Sequence, residues 1–371
     1  MPRIQLTHVT KQWGKFIGVN DLNLDIEDGS FITLLGSSGC GKTTTLRMIA
    51  GLETPTKGEI RFDDKIMFSS DKNINVPPAK RDVGFLFQNY ALWPHMTVYQ
   101  NIAFGLETLK WKKNDINVRV QEMLQTMRIE QFAERYPAEL SGGQQQRVAI
   151  ARTLAPKPRV LFMDEPLSNL DAKLRGEMRT ELKRLHRDTG STFVYVTHDQ
   201  LEAMTLSSKI CLMNEGVLQQ YAPPLEVYNR PANLFAADFV GNPSMNILDA
   251  KAVKTSQNAA EISFLGNKAV FQASEAFDLA SEDIAVGIRP EFLPISPDGD
   301  LEGLAYSTLP AGMETTVKIK IGDATLSSVV FGAVDYETDA PIRFSIVGSG
   351  ILIFDRQTGK LITNGSLAMM K

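Results

Sequence analysis

Gly36, Gly41, Lys42 and Thr43 stand at the spacing G-x-x-x-x-G-K-[ST], inside the run Gly36-Ser37-Ser38-Gly39-Cys40-Gly41-Lys42-Thr43-Thr44. Glycines let a backbone turn its N–H groups inward around a polyphosphate. A helix that starts at the end of such a loop adds its positive pole. The lysine of this pattern reaches the β and γ phosphates, and the threonine hydroxyl can hold Mg²⁺. Residues 36–44 are therefore expected to bind a nucleotide polyphosphate. Two further apolar runs end in ionisable groups. VLFMDEP delivers Asp164 and Glu165, and TFVYVTHD delivers His198. A lone histidine is most often structural, but this one sits at the tip of an apolar run.

Elements that could position these groups are legible around them. The apolar run Phe31 to Leu35 precedes the glycine loop, and Leu46, Ile49 and Ala50 follow it at helical spacing. Residues 4–10 and 22–26 alternate as half-buried strands do, with KQWGKFIGVN between them as a turn-rich connection carrying Trp13. Residues 58–68 read as a hairpin with Asp63-Asp64 at its turn, and 71–81, with Pro77-Pro78, as a loop. Val83 to Gln88 is a short strand, and 99–135 is mostly helical. A helix from Ala172 to Thr189 separates VLFMDEP from TFVYVTHD. Strands alternating with helices imply a parallel sheet, whose binding sites lie beyond the carboxyl ends of the strands. After about residue 235 the pattern changes to short alternating runs such as EISFLG, TVKIKIG and ILIFD, punctuated by glycine, proline and aspartate. That part reads as an all-β domain, a small barrel or sandwich.

Composition narrows the class. The chain has 371 residues, enough for two or three domains, and its 43% hydrophobic share suits a protein with real cores. No apolar run reaches the roughly 18 residues of a membrane helix, and the start lacks an export-signal pattern. Cys40 and Cys211 are far apart, which argues against a disulfide framework. Residues 1–240 carry 29 basic and 27 acidic side chains and residues 241–371 carry 10 and 16, so the acidic excess lies in the C-terminal part. The net charge of −4 argues against a nucleic-acid partner.

One more run settles the class of chemistry. Leu140 to Arg147 reads LSGGQQQR, where Ser141 can cap a helix and the paired glycines leave the helix start open to a phosphate. With the glycine loop upstream and VLFMDEP downstream, residues 4 to about 235 resemble the ATPase subunits of ABC transporters. The resemblance implies an α/β P-loop NTPase domain over 1–235, with a helical subdomain at about 89–156 and an OB-like β domain over 236–371. It implies ATP and Mg²⁺. Trp13 takes the place of an aromatic that stacks on adenine, more often tyrosine in the family. By the same resemblance, Gln88 is expected to touch Mg²⁺ and the attacking water, Asp164 to hold Mg²⁺, Glu165 to be the general base and His198 to reach the γ-phosphate. The resemblance also implies that Ser141, Gly142, Gly143 and Gln144 close on ATP held by another subunit, and that Asp171, in SNLD, belongs to the loop that links the two sites. Because Cys40 lies inside the glycine loop, thiol reagents are expected to block hydrolysis and ATP to protect.

One glycine loop and one LSGGQ per chain imply a homodimer, or a pair with a related chain. Residues 89–97 resemble the surface that receives a helix from one of two transmembrane permease subunits. An extracytoplasmic solute-binding protein is then an indirect partner, and the chain lies at the cytoplasmic face of the inner membrane. The C-terminal phrases, with GIRPE at Gly287 and IFDRQTG at Ile353, resemble importer ATPases of the maltose-transporter type. They lean towards a carbohydrate: an oligosaccharide, a polyol or glycerol-3-phosphate. Iron, polyamine or sulfate import is the alternative, with a soluble ATPase acting on ribosomes or DNA a third. Whether the β domain binds a regulator or is only a dimerisation scaffold stays open.

Overall fold

Five consecutive buried residues, Phe31–Leu35, form a central strand of the first part of the chain. In the computed structural model, which describes residues 2–370, this strand has parallel neighbours on both sides, Lys209–Asn214 and Thr192–Thr197. Val160–Asp164 and Val83–Leu86 continue the parallel sheet, and Val217–Ala222 closes the other edge antiparallel. A sheet buried on both faces needs apolar side chains on both. Phe31, Leu161, Met163, Phe193 and Tyr195 pack to one side, against Ile102, Leu124 and Val148 of the helical region. Their neighbours Ile32, Leu34, Phe162 and Val194 pack to the other, against Leu46 and Ile49 of the helix Lys42–Ala50 and Ile4, Leu24 and Ile60 of a second sheet.

That second sheet is antiparallel, in the order Phe16–Ile26, Ile4–Trp13, Lys57–Phe62, Lys65–Ser69, Ile74–Asn75. Two stretches differ from the sequence reading here. The connection expected around Trp13 is a hairpin: Trp13 pairs with Phe16 across Gly14-Lys15, and Gly14 supplies a φ of 58°. The two strands simply run further than their clearest alternation. The loop expected at 71–81 contains the short strand Ile74–Asn75 and a 3₁₀ turn, Pro78–Lys80. Arg81 orders it. Its buried guanidinium donates to Val76 O at 2.8 Å and to Met48 O and Ile49 O at 3.0 and 2.8 Å, so it also satisfies the last carbonyls of the helix Lys42–Ala50.

The mostly helical stretch resolves into Val98–Thr108 and Lys113–Met127. Thr97 and Gln100 form a capping box at the first. Gly142–Leu154 follows with its own box from Ser141 and Gln144.

The chain divides into two units, between Pro224 and Leu225. The short helix Pro224–Asn229 begins at that boundary, Leu234–Phe239 follows it, and the rest of the second unit is strands and one 3₁₀ turn among the described residues. Six strands form a closed barrel in the order Asn246–Lys254, Ala259–Phe264, Asn267–Ala273, Leu361–Met369, Ile351–Asp355, Asp283–Ile288. Four more, Ala324–Phe331, Glu314–Ile321, Leu301–Pro310 and Pro341–Phe344, make an open sheet. Ile262, Phe271 and Val286 of the barrel share one core with Val317, Ile319 and Phe344 of the sheet.

Candidate nucleotide site

The glycine loop turns sharply because two glycines have no room for a side chain. A Cβ at Gly36 would lie 2.3 Å from Met213 O, and one at Gly41 would lie 2.5 Å from Gly18 O. Gly41, at φ 99°, starts the helix Lys42–Ala50 with no side-chain cap, leaving its first N–H groups open to a ligand. Ser37, Ser38 and Gly39 are exposed at the tip, while Thr44 is half-buried on the first turn of the helix. Lys42 is only 4% exposed, and its Nζ donates to Gly36 O and Ser37 O, each at 2.8 Å. The ammonium is thus folded beneath the loop. Cys40 corrects one expectation: its backbone belongs to the loop, but its thiol is buried in the core, 3.8 Å from Lys42 Nζ. Burial pushes the thiol pKa up, the neighbouring ammonium offsetting part of that.

Three adjacent parallel strands deliver the remaining groups to one edge. Thr43 Oγ1 donates to Asp164 Oδ1 at 2.8 Å, and Arg47 lies 3.4 Å from Asp164 Oδ2. Asp164 is the last residue of its strand. Glu165 lies just beyond the strand in a left-handed conformation, φ 45°, with its N–H bonded to Val196 O at 3.1 Å. So the two carboxylates are separated by a backbone turn rather than by strand alternation. Such strain in a non-glycine residue is characteristic of functional positions. His198 Nδ1 is 3.4 Å from Glu165 Oε2, and the imidazole is 59% exposed. Gln88, in the turn after Val83–Leu86, donates to Ser168 Oγ at 3.4 Å, and Ser168 Oγ donates to Glu165 O at 2.9 Å. Asn169 adds a bond to Gln88 O. Ser168 and Asn169 were visible only as part of SNLD, and nothing in the sequence singled them out as the bridge between Gln88 and Glu165.

Trp13 is 44% exposed, stacked on Phe16 with Lys11 Nζ 5.0 Å above its ring. Gly18 connects it to the loop: a Cβ there would meet the indole at 2.5 Å, and the Gly18 carbonyl is the atom that crowds Gly41. Ser141 and Gly142 are exposed, Gln144 is half-buried, and Gly143 is buried under Leu174. Among the described residues, no hydrogen bond or ion pair joins Ser141–Gln144 to residues 36–44 of the same chain. Asp171 is exposed and caps the helix Ala172–Thr189 by accepting from Leu174 N at 2.9 Å.

Thr43 and Asp164 present hard oxygen donors, the kind Mg²⁺ takes, and a cation shared with phosphate needs no more protein ligands than these. Among the described residues, no group of three or more His, Cys, Asp or Glu side chains converges as a metal site of its own.

Residues 19–168 match the family described as ABC transporter. The trehalose/maltose import ATP-binding protein MalK of Thermococcus litoralis is 42% identical over 98% of this chain and 100% of its own length. The chain belongs to the ABC transporter ATP-binding proteins. The maltose/maltodextrin import ATP-binding protein MalK of Salmonella typhimurium is 45% identical over 86% of both chains. Among solved structures, a dimeric ATP-binding cassette in a post-hydrolysis state with ADP and Pi is 33% identical, with a TM-score of 0.52 over 60% of this chain and 98% of that one.

Proposed function

We propose that this chain hydrolyses ATP at the cytoplasmic face of the membrane to drive uptake of a carbohydrate through two permease subunits. The observation that carries the chemistry is the meeting of Thr43, Asp164, Glu165 and His198 at the carboxyl ends of three neighbouring parallel strands. Residues 36–44 wrap the phosphates, and Lys42 swings from the loop carbonyls to the β and γ oxygens. Trp13 stacks on the base. Thr43, Asp164 and Gln88 would hold Mg²⁺, which when bound neutralises charge on the phosphates. The Glu165 carboxylate takes the proton of the attacking water, and His198 donates to the γ-phosphate. Ser141, Gly142, Gly143 and Gln144 serve the nucleotide of a second copy, in line with their lack of bonds to their own glycine loop. Asp171 and its loop pass between the two sites.

On this reading the chain works as a homodimer whose ATPase part spans 1–235, with 236–371 as a regulatory or dimerisation domain. No helix among the described residues is long and apolar enough to cross a membrane, so the permease supplies the crossing. The carbohydrate reading is supported by relatives named for trehalose, maltose and maltodextrin import that match along most of the chain. Labelled maltose and trehalose uptake into membrane vesicles holding the chain and its permease tests it. Uptake lost with Glu165→Gln supports the proposal. Import of iron or a polyamine, with both sugars ignored, overturns the carbohydrate part alone.

A further inference from the structure

Arg175 lies one turn inside the helix Ala172–Thr189 and touches both loops that border Glu165. On one side its Nη2 donates to Leu170 O at 3.2 Å, within the 168–171 loop. On the other, Nη1 donates to Asp199 Oδ2 at 3.3 Å, and Nε is 3.8 Å from Glu202 Oε1. Glu202 is buried, and its other oxygen accepts from Tyr195 OH at 2.8 Å and Thr197 Oγ1 at 2.7 Å. Asp199 Oδ1 accepts from Glu202 N, and Asp199 N donates to Thr197 Oγ1. The residues on either side of His198 are therefore fixed, Thr197 through Glu202 and Asp199 through Arg175. The imidazole itself is mostly exposed, and its Nδ1 lies 3.4 Å from Glu165 Oε2. Its position is set by the backbone of its loop, and that backbone is tied by a charged hydrogen bond to the loop at 168–171.

We propose that Arg175 is a positioning residue that couples the 168–171 loop to His198. Ser168 of that loop already joins Gln88 to the Glu165 carbonyl. A displacement of the loop, such as a second copy docking on its exposed face would cause, moves the Arg175 guanidinium and with it Asp199 and the histidine. Chains of charged hydrogen bonds between rigid elements carry such coupling. The inference rests on the reading of Glu165 and His198 as the groups that act on water and phosphate.

Steady-state ATP hydrolysis by Arg175→Met, Arg175→Lys, Asp199→Asn and the Arg175→Met/Asp199→Asn double variant tests it, with ATP binding and thermal melting measured on each. Asparagine still caps Glu202 N, so Asp199→Asn removes the charge pair and keeps the helix start. Arg175→Met and Asp199→Asn should each lower kcat about tenfold while KM stays within about twofold. The double variant should fall no further, because one tie is lost only once. Arg175→Lys should recover most of the rate. Losses that multiply in the double variant, a KM that rises as kcat falls, or a wild-type kcat in Arg175→Met each overturn the proposal. If Arg175→Met does not fold, a wild-type kcat in Asp199→Asn overturns it equally. Wild-type turnover in Glu165→Gln and His198→Ala would instead sink the reading beneath it, a result distinct from an inert Arg175.

Discussion

The Thr43 hydroxyl donates a 2.8 Å hydrogen bond to Oδ1 of Asp164, joining the first turn of the helix after the glycine loop to the end of a strand 121 residues further on. Two oxygens so placed can exchange their mutual bond for a shared cation. Thr43→Val keeps the shape and removes one donor. It should abolish the gain in ATP affinity that Mg²⁺ gives, while affinity without Mg²⁺ stays close to wild type. Fluorescent-nucleotide titrations with and without Mg²⁺ read this directly, and an unchanged Mg²⁺ effect refutes the role.

Glu165→Gln keeps the size of the side chain and removes its basicity. The rate should fall by about 10²–10⁴, the range of a lost general base. Nucleotide affinity should hold, and a dimer should accumulate on size-exclusion chromatography in ATP. Wild-type turnover by this variant would remove Glu165 from the chemistry.

The Ser141-Gly142-Gly143 turn can be tested across two copies. Lys42→Ala and Ser141→Ala chains should each be nearly inactive alone. Mixed, they form some dimers in which an intact glycine loop faces an intact Ser141, and activity should return. If each site were built within one chain, mixing would restore nothing. Ser141→Ala also removes a helix cap, worth about 1 kcal/mol. A urea melt separates that loss from the catalytic one.

Gly41→Ala should be worse than Gly39→Ala. Both glycines have positive φ, 99° and 81°, but only a Cβ at Gly41 meets a backbone atom, Gly18 O at 2.5 Å. Strain of this kind costs about 1–3 kcal/mol. Urea unfolding should show the larger loss in Gly41→Ala, together with failed ATP binding.

Cys40 gives a pH prediction. Its thiol is buried and its pKa is raised, so at a given pH less of it is thiolate than in a free cysteine. Alkylation of the folded protein at pH 8 should be slow and should keep accelerating as the pH rises past the ordinary thiol range. Mass spectrometry against a urea-unfolded sample checks this. Rapid labelling of folded protein at neutral pH would contradict the burial.

Much of the site was legible because it is written in short contiguous runs. The glycine loop, Asp164-Glu165, His198 and Ser141-Gly142-Gly143 each sit where a strand or loop hands over to the next element, and such hand-overs have local signatures. What was not legible depends on pairs distant in sequence. Arg175 and Asp199 look like two ordinary charged residues of a helix and a turn until the fold brings them to 3.3 Å. Arg81 reads as a surface charge after a proline loop, yet it is buried against the carbonyls of Met48 and Ile49. The left-handed φ of Glu165 leaves no mark on its own residue type. In the β-rich part, alternation identified strands but could not divide them into a barrel of six and a sheet of four, because register is fixed by pairing across the chain.

The strand that carries the glycine loop is flanked by Thr192–Thr197 and Lys209–Asn214, both made long after it. During translation, then, Phe31–Leu35 emerges early, and its backbone amides lack their strand partners until nearly the whole first unit has been synthesised. A nascent chain halted before residue 192 has every residue of the glycine loop and neither of the two strands that hold Phe31–Leu35 in the sheet.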